Sequence, residues 1–301
     1  MAVPRWILKL ASIIVVFTGF AFLDFSPVWA EGKYQEKSIS FLLDDQMVVG
    51  ILTRPIQKKP PPIVLVLHGM SGNRHGPGGL FARAAKIWAE NGLASLRIST
   101  RGRGGSEGKF HDMTLKRRTE EALAAVKWIL GQSNLNRGQI SILGHSQGTI
   151  IAASAAHSLE NSHPIRSVIL WAPQANPLSI YRSAMGLATL ERGLNASPGE
   201  IVSWRGVGGR TRAFKSGFFR GLKSAHPLQD IAGFSGRLLV VTGRKDRWST
   251  AESAQAFLKA HTGDHSSIEF DVGHQMGAKA GYEKTDVVVA HTFEWLKAGN
   301  E

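Results

Sequence analysis

The chain has 301 residues, 43% of them hydrophobic and 20% charged, which excludes a disordered chain and supplies a sizeable core. It contains no cysteine, which rules out disulfides, thiol nucleophiles and thiolate-held zinc or iron–sulfur centres, so any nucleophile must be oxygen or nitrogen. The net charge is +13, yet no Lys/Arg run is interleaved with aromatics in the manner of a nucleic-acid surface; the basicity suits acidic substrates, anionic headgroups or polyanionic polymers, or is simply a solvated surface.

At the N-terminus, Arg5 and Lys9 border an apolar run from Leu10 to Leu23, and Val28-Trp29-Ala30 supplies the residues a signal peptidase reads. The run is short of the roughly 20 residues a membrane span needs. Residues 1–30 therefore read as a secretory signal with cleavage after Ala30, the alternative being an uncleaved anchor and the only route to a membrane. In either case the body of the protein is exported, periplasmic or secreted. Removing two cations (Arg5, Lys9) and one anion (Asp24) from +13 leaves +12, so the basicity belongs to the mature chain.

Phe41 to Pro55 reads as a hairpin turning at Asp44-Asp45-Gln46, followed by the stiff connector Lys58 to Pro62. Ile63 to Leu67 is wholly apolar and β-branched, as a strand buried on both faces of a parallel sheet must be. Comparable runs recur at Leu93–Ile98, Gln139–Leu143, Ser167–Trp171, Arg237–Thr242 and Ser267–Asp271. Helical patterns at Leu80–Glu90, Leu115–Leu130, Gln147–Leu159, Ala251–Ala260 and Lys284–Leu296 alternate with them, giving an α/β fold with a mostly parallel central sheet flanked by helices. One segment breaks the alternation. Residues 174–225 hold eight Lys/Arg against two acids and no buried-strand pattern, and so long a structureless loop would be unusual. A helical or mixed lid insertion over the strand ends is expected, since ligands bind at the carboxyl ends of parallel strands.

Between the strand ending at Leu143 and the helix beginning at Gln147 lies Gly144-His145-Ser146-Gln147-Gly148. A G-x-S-x-G pentapeptide alone is weak, but a strand-to-helix setting makes it a nucleophile elbow, with Gly144 and Gly148 allowing the close approach that a sharp turn needs. A serine hydroxyl requires a base and a group to orient that base. Asp246 follows the strand Arg237–Thr242 and His274 follows the last strand, so Ser146, Asp246 and His274 fall on one edge of the sheet as a candidate triad. The first full strand ends in His68-Gly69-Met70, and the Met70 and Gln147 backbone amides are the expected oxyanion donors, with His68 and Gly69 shaping the turn. His145 reads as elbow packing. His261 and His265 have metal-ligand spacing, but Gly263 between them interrupts a helix. Arg101 to Ser106 lacks the spacing of a dinucleotide fingerprint and reads as a tight loop buttressing the active edge.

With these motifs in place, the chain resembles the α/β-hydrolase superfamily over nearly all its mature length, in the order Ser, Asp, His. HGMSGNRHGPGG (68–79), NGLASLRISTRGRGGSEGKFHDMT (91–114) and LLVVTGRKD (238–246) resemble bacterial cinnamoyl or feruloyl esterases and their serine-aminopeptidase-like relatives. Thr100 stands where that pattern often has Asp, and Arg247-Trp248 where relatives have small or aliphatic residues. The resemblance implies a cofactor-independent serine esterase acting on a small-molecule ester with an anionic or aromatic acyl group. A serine aminopeptidase or amidase of the same fold is the alternative, and a noncatalytic scaffold a third.

Overall fold

The computed structural model describes residues 32–163, 165–206, 209–279 and 281–299, so the signal-peptide or anchor reading of residues 1–30 lies outside the described residues. Among the described residues, no helix is long and apolar enough to cross a membrane.

The chain opens with an antiparallel hairpin, β1 (Tyr34–Leu43) and β2 (Gln46–Pro55). Its turn is Asp44-Asp45, both at positive φ (48° and 55°), a conformation tight hairpin turns demand and Asp tolerates. The strand begins seven residues earlier than the apolar pattern suggests, because most of β1 faces solvent and carries no hydrophobic signature. Six strands follow: β3 (Ile63–Leu67), β4 (Ala94–Ile98), β5 (Ile140–His145), β6 (Ser167–Trp171), β9 (Arg237–Gly243) and β10 (His265–Phe270). The sheet order is β1-β2-β4-β3-β5-β6-β9-β10, parallel from β4 to β10.

Alternation along each strand sends side chains to two cores. Ile63, Leu65 and Leu67 of β3 join one cluster, under α2 (Leu115–Leu130) and α3 (Gln147–Leu159). Val64 and Val66 join the other, under α1 (Leu80–Glu90) and α9 (Tyr282–Ala298), where Trp88 donates to the Val289 carbonyl at 3.1 Å. Each five-residue inner strand is buried throughout, which is why a short unbroken apolar run was a sufficient signal. Several boundaries need correction: Leu93 precedes β4, and β10 begins at His265 rather than Ser267. Gln139 precedes β5, which continues through Gly144 and His145, and Asp271 lies just past β10 rather than in the strand body.

The stretch 174–225 folds into α4 (Pro177–Met185), α5 (Leu187–Asn195), an antiparallel pair β7 (Ile201–Arg205) and β8 (Thr211–Lys215), and α6 (Ser216–Ser224). Trp204, Phe214, Phe218 and Phe219 form its core, with Phe214 and Phe218 stacked at 4.2 Å. Phe110 against Phe214 and the Lys215–Asp112 ion pair at 2.5 Å fasten it to the loop before α2. The chain then returns through α7 (Pro227–Ala232) to β9, and α8 (Ala251–Ala260) leads to β10.

Candidate active site

The order in which parallel strands are added reverses at β3: the chain passes from β3 to β4 on one side of it and then crosses to β5 on the other. The crevice that opens at the carboxyl ends of β3 and β5 is the place where such sheets bind ligands. Leu67 pairs with Gly144, so the turn after β3 and the turn after β5 emerge side by side.

Ser146 sits between β5 and α3 at φ 55° and ψ −123°, a strained conformation for a residue with a side chain. The neighbourhood fixes it there: its N–H donates to the Trp171 carbonyl at 2.8 Å, and its carbonyl accepts from Thr149 Oγ1 at 2.6 Å. Both glycines of the elbow are required by contact. A methyl on Gly144 would overlap the Gly148 carbonyl, and one on Gly148 would overlap the Leu67 carbonyl, both rigid backbone.

Ser146 Oγ lies 2.8 Å from His274 Nε2, and His274 Nδ1 lies 2.8 Å from Asp246 Oδ2. The Asp246 carboxylate is fully buried, and its other oxygen accepts from the Trp248 and Ser249 backbone amides at 2.8 and 3.2 Å. With Asp246 accepting, Nδ1 carries the proton and Nε2 is left to accept from Ser146. The structure therefore brings all three sequence-predicted residues together, and the unusual Trp248 contributes through its backbone.

His145 does more than fill space. Its Nε2 donates to the His274 carbonyl at 2.8 Å, while Nδ1 is buried without a partner, so the ring is neutral and steadies the loop that carries His274. Burial, with the nearby His274, brings its pKa down to about 4. His68 is neutral for the same main reason, with a pKa lowered to about 3 by burial and then by Arg118. Its Nε2 accepts from the Thr100 amide at 3.0 Å, so Nδ1 is the protonated nitrogen and donates to the Gly69 carbonyl at 2.6 Å. That pair holds the His68-Gly69-Met70 turn against the elbow, where a methyl on Gly69 would stand 3.0 Å from Ser146 Cβ. Among the described residues neither the Met70 nor the Gln147 amide finds an acceptor.

Sequence reasoning missed the supports beneath this turn. Arg118, on α2 and 4% exposed, donates to Gln147 Oε1 at 2.7 Å and to the His68 carbonyl, so one guanidinium ties both sides of the crevice. Beside it Glu121 accepts from the Arg101 side chain at 2.9 Å and from the Thr100 hydroxyl, giving the deviant Thr100 a role in the same buried network. The available signal was in α2: Arg118 and Glu121 occupy the stripe defined by Leu115, Ala122 and Ile129, where charge is out of place. Gln174 also escaped notice. It is 4% exposed, its Nε2 lies 3.4 Å from Ser146 Oγ, and its Oε1 is buried without a partner. Its position just past the carboxyl end of β6 was the clue.

The triad opens into a cavity of about 980 Å³ whose walls include Met70, Gln174, Tyr181, Trp204, Arg212 and Trp248. Asp271 is the one carboxylate among the described lining residues, and hydrogen bonds from Lys245 and Lys284 hold it down to about 2.

Comparison with known proteins agrees with this architecture. Residues 58–202 match the family model described as Serine aminopeptidase, S33. An uncharacterized protein of Rickettsia prowazekii is 37% identical over 117 residues, 36% of this chain and 47% of the relative, so the match spans about half the relative's length. The structure of Est1E from Butyrivibrio proteoclasticus with ferulic acid bound superposes with a TM-score of 0.70 at 23% identity, covering 87% of this chain and 98% of that one. An acetyl xylan esterase from Paenibacillus sp. R4 gives 0.62 at 16% identity, covering 89% and 85%. The fold is the α/β-hydrolase fold.

Proposed function

We propose that this α/β-hydrolase-fold chain is an exported serine hydrolase that cleaves carboxylic esters through an acyl-enzyme. The observation that carries the reading is the continuous chain from Ser146 Oγ through His274 to the buried Asp246, two links of 2.8 Å at the floor of a cavity. His274 Nε2 takes the Ser146 proton as Oγ attacks the substrate carbonyl, and Asp246 stabilises the imidazolium without itself being protonated. The oxyanion of the tetrahedral intermediate is received by the Met70 and Gln147 amides, the latter at the N-terminus of α3, where the helix dipole favours negative charge. Collapse breaks the ester bond, His274 passes its proton to the departing alcohol, and water repeats the sequence on the acyl-enzyme. No step draws on a cofactor.

The insertion 174–225 acts in this reading as a lid, because Tyr181, Trp204 and Arg212 form part of the wall above Ser146. The aminopeptidase alternative is favoured by the description of the matching family model. It needs a carboxylate free to receive a substrate ammonium group, and the lining carboxylate Asp271 already serves two lysines. Esters are therefore the first choice, with aromatic acyl groups suggested by the ferulic acid bound to Est1E. The test is turnover of graded p-nitrophenyl and hydroxycinnamate esters by residues 31–301, with fluorophosphonate labelling of Ser146. Cleavage of aminoacyl amides instead would favour the peptidase, and the absence of both turnover and labelling in folded protein would discard the hydrolase.

A further inference from the structure

Six Lys/Arg side chains line the cavity, and three of them are already committed. Lys245 and Lys284 share Asp271. Arg103 donates to the Ser71 and Gly72 carbonyls, bracing the turn that follows Met70. Among the described residues no carboxylate lies within ion-pair distance of the other three, Arg210, Arg212 and Lys279, and of these Arg212, on β8, is distinguished by an Nε buried without a partner. The side chain is nevertheless held in place. It lies across the backbone of Gly206, where any Cβ would collide with the guanidinium, and Nη1 reaches the Arg210 carbonyl at 3.4 Å.

Tyr181 lies on the same wall, 3% exposed, and the direction of its hydrogen bonding can be deduced. Arg118 can only donate, so the Gln147 oxygen faces it and the Gln147 amide nitrogen faces Tyr181, at 2.7 Å. The Tyr181 oxygen is thereby the acceptor in that bond, and its own proton remains to be given elsewhere. No other protein acceptor takes it among the described residues. Burial raises the Tyr181 pKa, keeping the phenol protonated as a donor, and Arg212 is close enough to act on it electrostatically.

We propose that Tyr181 and Arg212 form a carboxylate-recognition subsite, so that the ester cleaved at Ser146 carries a second, anionic acid group. The inference rests on the hydrolase reading above and names its substrate class. One guanidinium and one phenolic O–H match a planar, singly charged, two-oxygen group, whereas a phosphate dianion would call for more donors.

Two pairs matched in carbon skeleton, each exchanging a carboxylate for a methyl group, test it. p-Nitrophenyl hemiglutarate against p-nitrophenyl valerate places the carboxylate on the acyl side, and 4-acetoxybenzoate against 4-methylphenyl acetate places it on the alcohol side. The charged member of one pair should show a kcat/KM higher by about tenfold to a hundredfold, the range of one charge-assisted contact, and that pair identifies the side. Arg212→Met should bring the ratio close to one, Arg212→Lys should retain part of it, and Tyr181→Phe should reduce it. Lys223→Met, an equal charge loss on the exposed part of the insertion, should leave it unchanged. Calorimetric titration of monomethyl glutarate into Ser146→Ala protein gives a readout independent of turnover, so a failed hydrolase reading and a failed anion site are distinguished. Ratios near one in both pairs together with no binding that depends on Arg212 would overturn the proposal, as would equal losses from Lys223→Met and Arg212→Met.

Discussion

The carboxyl edge of the parallel sheet and the insertion 174–225 face each other across one cavity and are built on different principles. At the sheet edge, position is set by backbone meeting backbone: Gly148 against the Leu67 carbonyl, Ser146 N–H on Trp171, and Asp246 received by two amides. In the insertion it is set by aromatic side chains stacked on one another, Phe214 on Phe218 and Trp204 against both. Main-chain contacts tolerate almost no change in side-chain identity at a few glycines, whereas an aromatic cluster can be rebuilt from many sequences of similar volume. In the proposed reading, one region fixes reaction geometry and the other is free to vary what it admits.

The largest effect expected from breaking the sheet edge is chemical. Ser146→Ala should lower kcat on the order of 10⁵-fold or more, and Asp246→Asn by about 10⁴-fold, with the fold intact by circular dichroism. Next comes the insertion: Phe218→Ala removes a fully buried ring from its core and should cost about 3 to 5 kcal/mol of stability by urea unfolding. If the two regions are as separable as their construction indicates, limited proteolysis of this variant will cut within 174–225 first, while Ser146 still reacts with fluorophosphonate.

A third measurement concerns pH. His68 and His145 have folded pKa values of about 3 and about 4, below the unfolded value near 6.5. The unfolded chain therefore binds more protons between these limits, and stability is full above pH 6.5 and falls as pH drops toward 4. His145→Gln, which keeps a donor for the His274 carbonyl, should flatten the pH dependence of the urea midpoint. The smallest effect sharpens the comparison at the seam: Arg118→Met should lower kcat by about tenfold with less change in KM, as one charge-assisted support of the oxyanion turn is lost. Arg118→Lys, which keeps the charge but not the fork, should recover part of it.

The same division governs what could be read from the sequence. Ile63–Leu67 and Ser167–Trp171 announce themselves because a strand covered on both faces must be apolar at every position. Once those strands are placed, Ser146, Asp246 and His274 follow from being next in the chain. The β7–β8 hairpin gave no such run: Ile201, Ser203 and Arg205 face solvent while Val202 and Trp204 are buried, so its signal was alternation. Tyr181 and Arg212 were illegible for a stricter reason. Their relevance depends on which neighbour is a donor and which an acceptor, and only the three-dimensional adjacency of Arg118, Gln147 and Tyr181 supplies that.

Gln147 belongs to both regions at once, with its main-chain amide beside Ser146 and its side chain bonded to Tyr181 of the insertion. Thermodynamic reciprocity then binds the two: whatever factor an occupant of the Tyr181 wall applies to the affinity of a tetrahedral boronate at Ser146, the boronate applies in return to that occupant. Through that one residue, binding at the Tyr181 wall and binding of a tetrahedral anion at Ser146 become two readings of one coupling free energy.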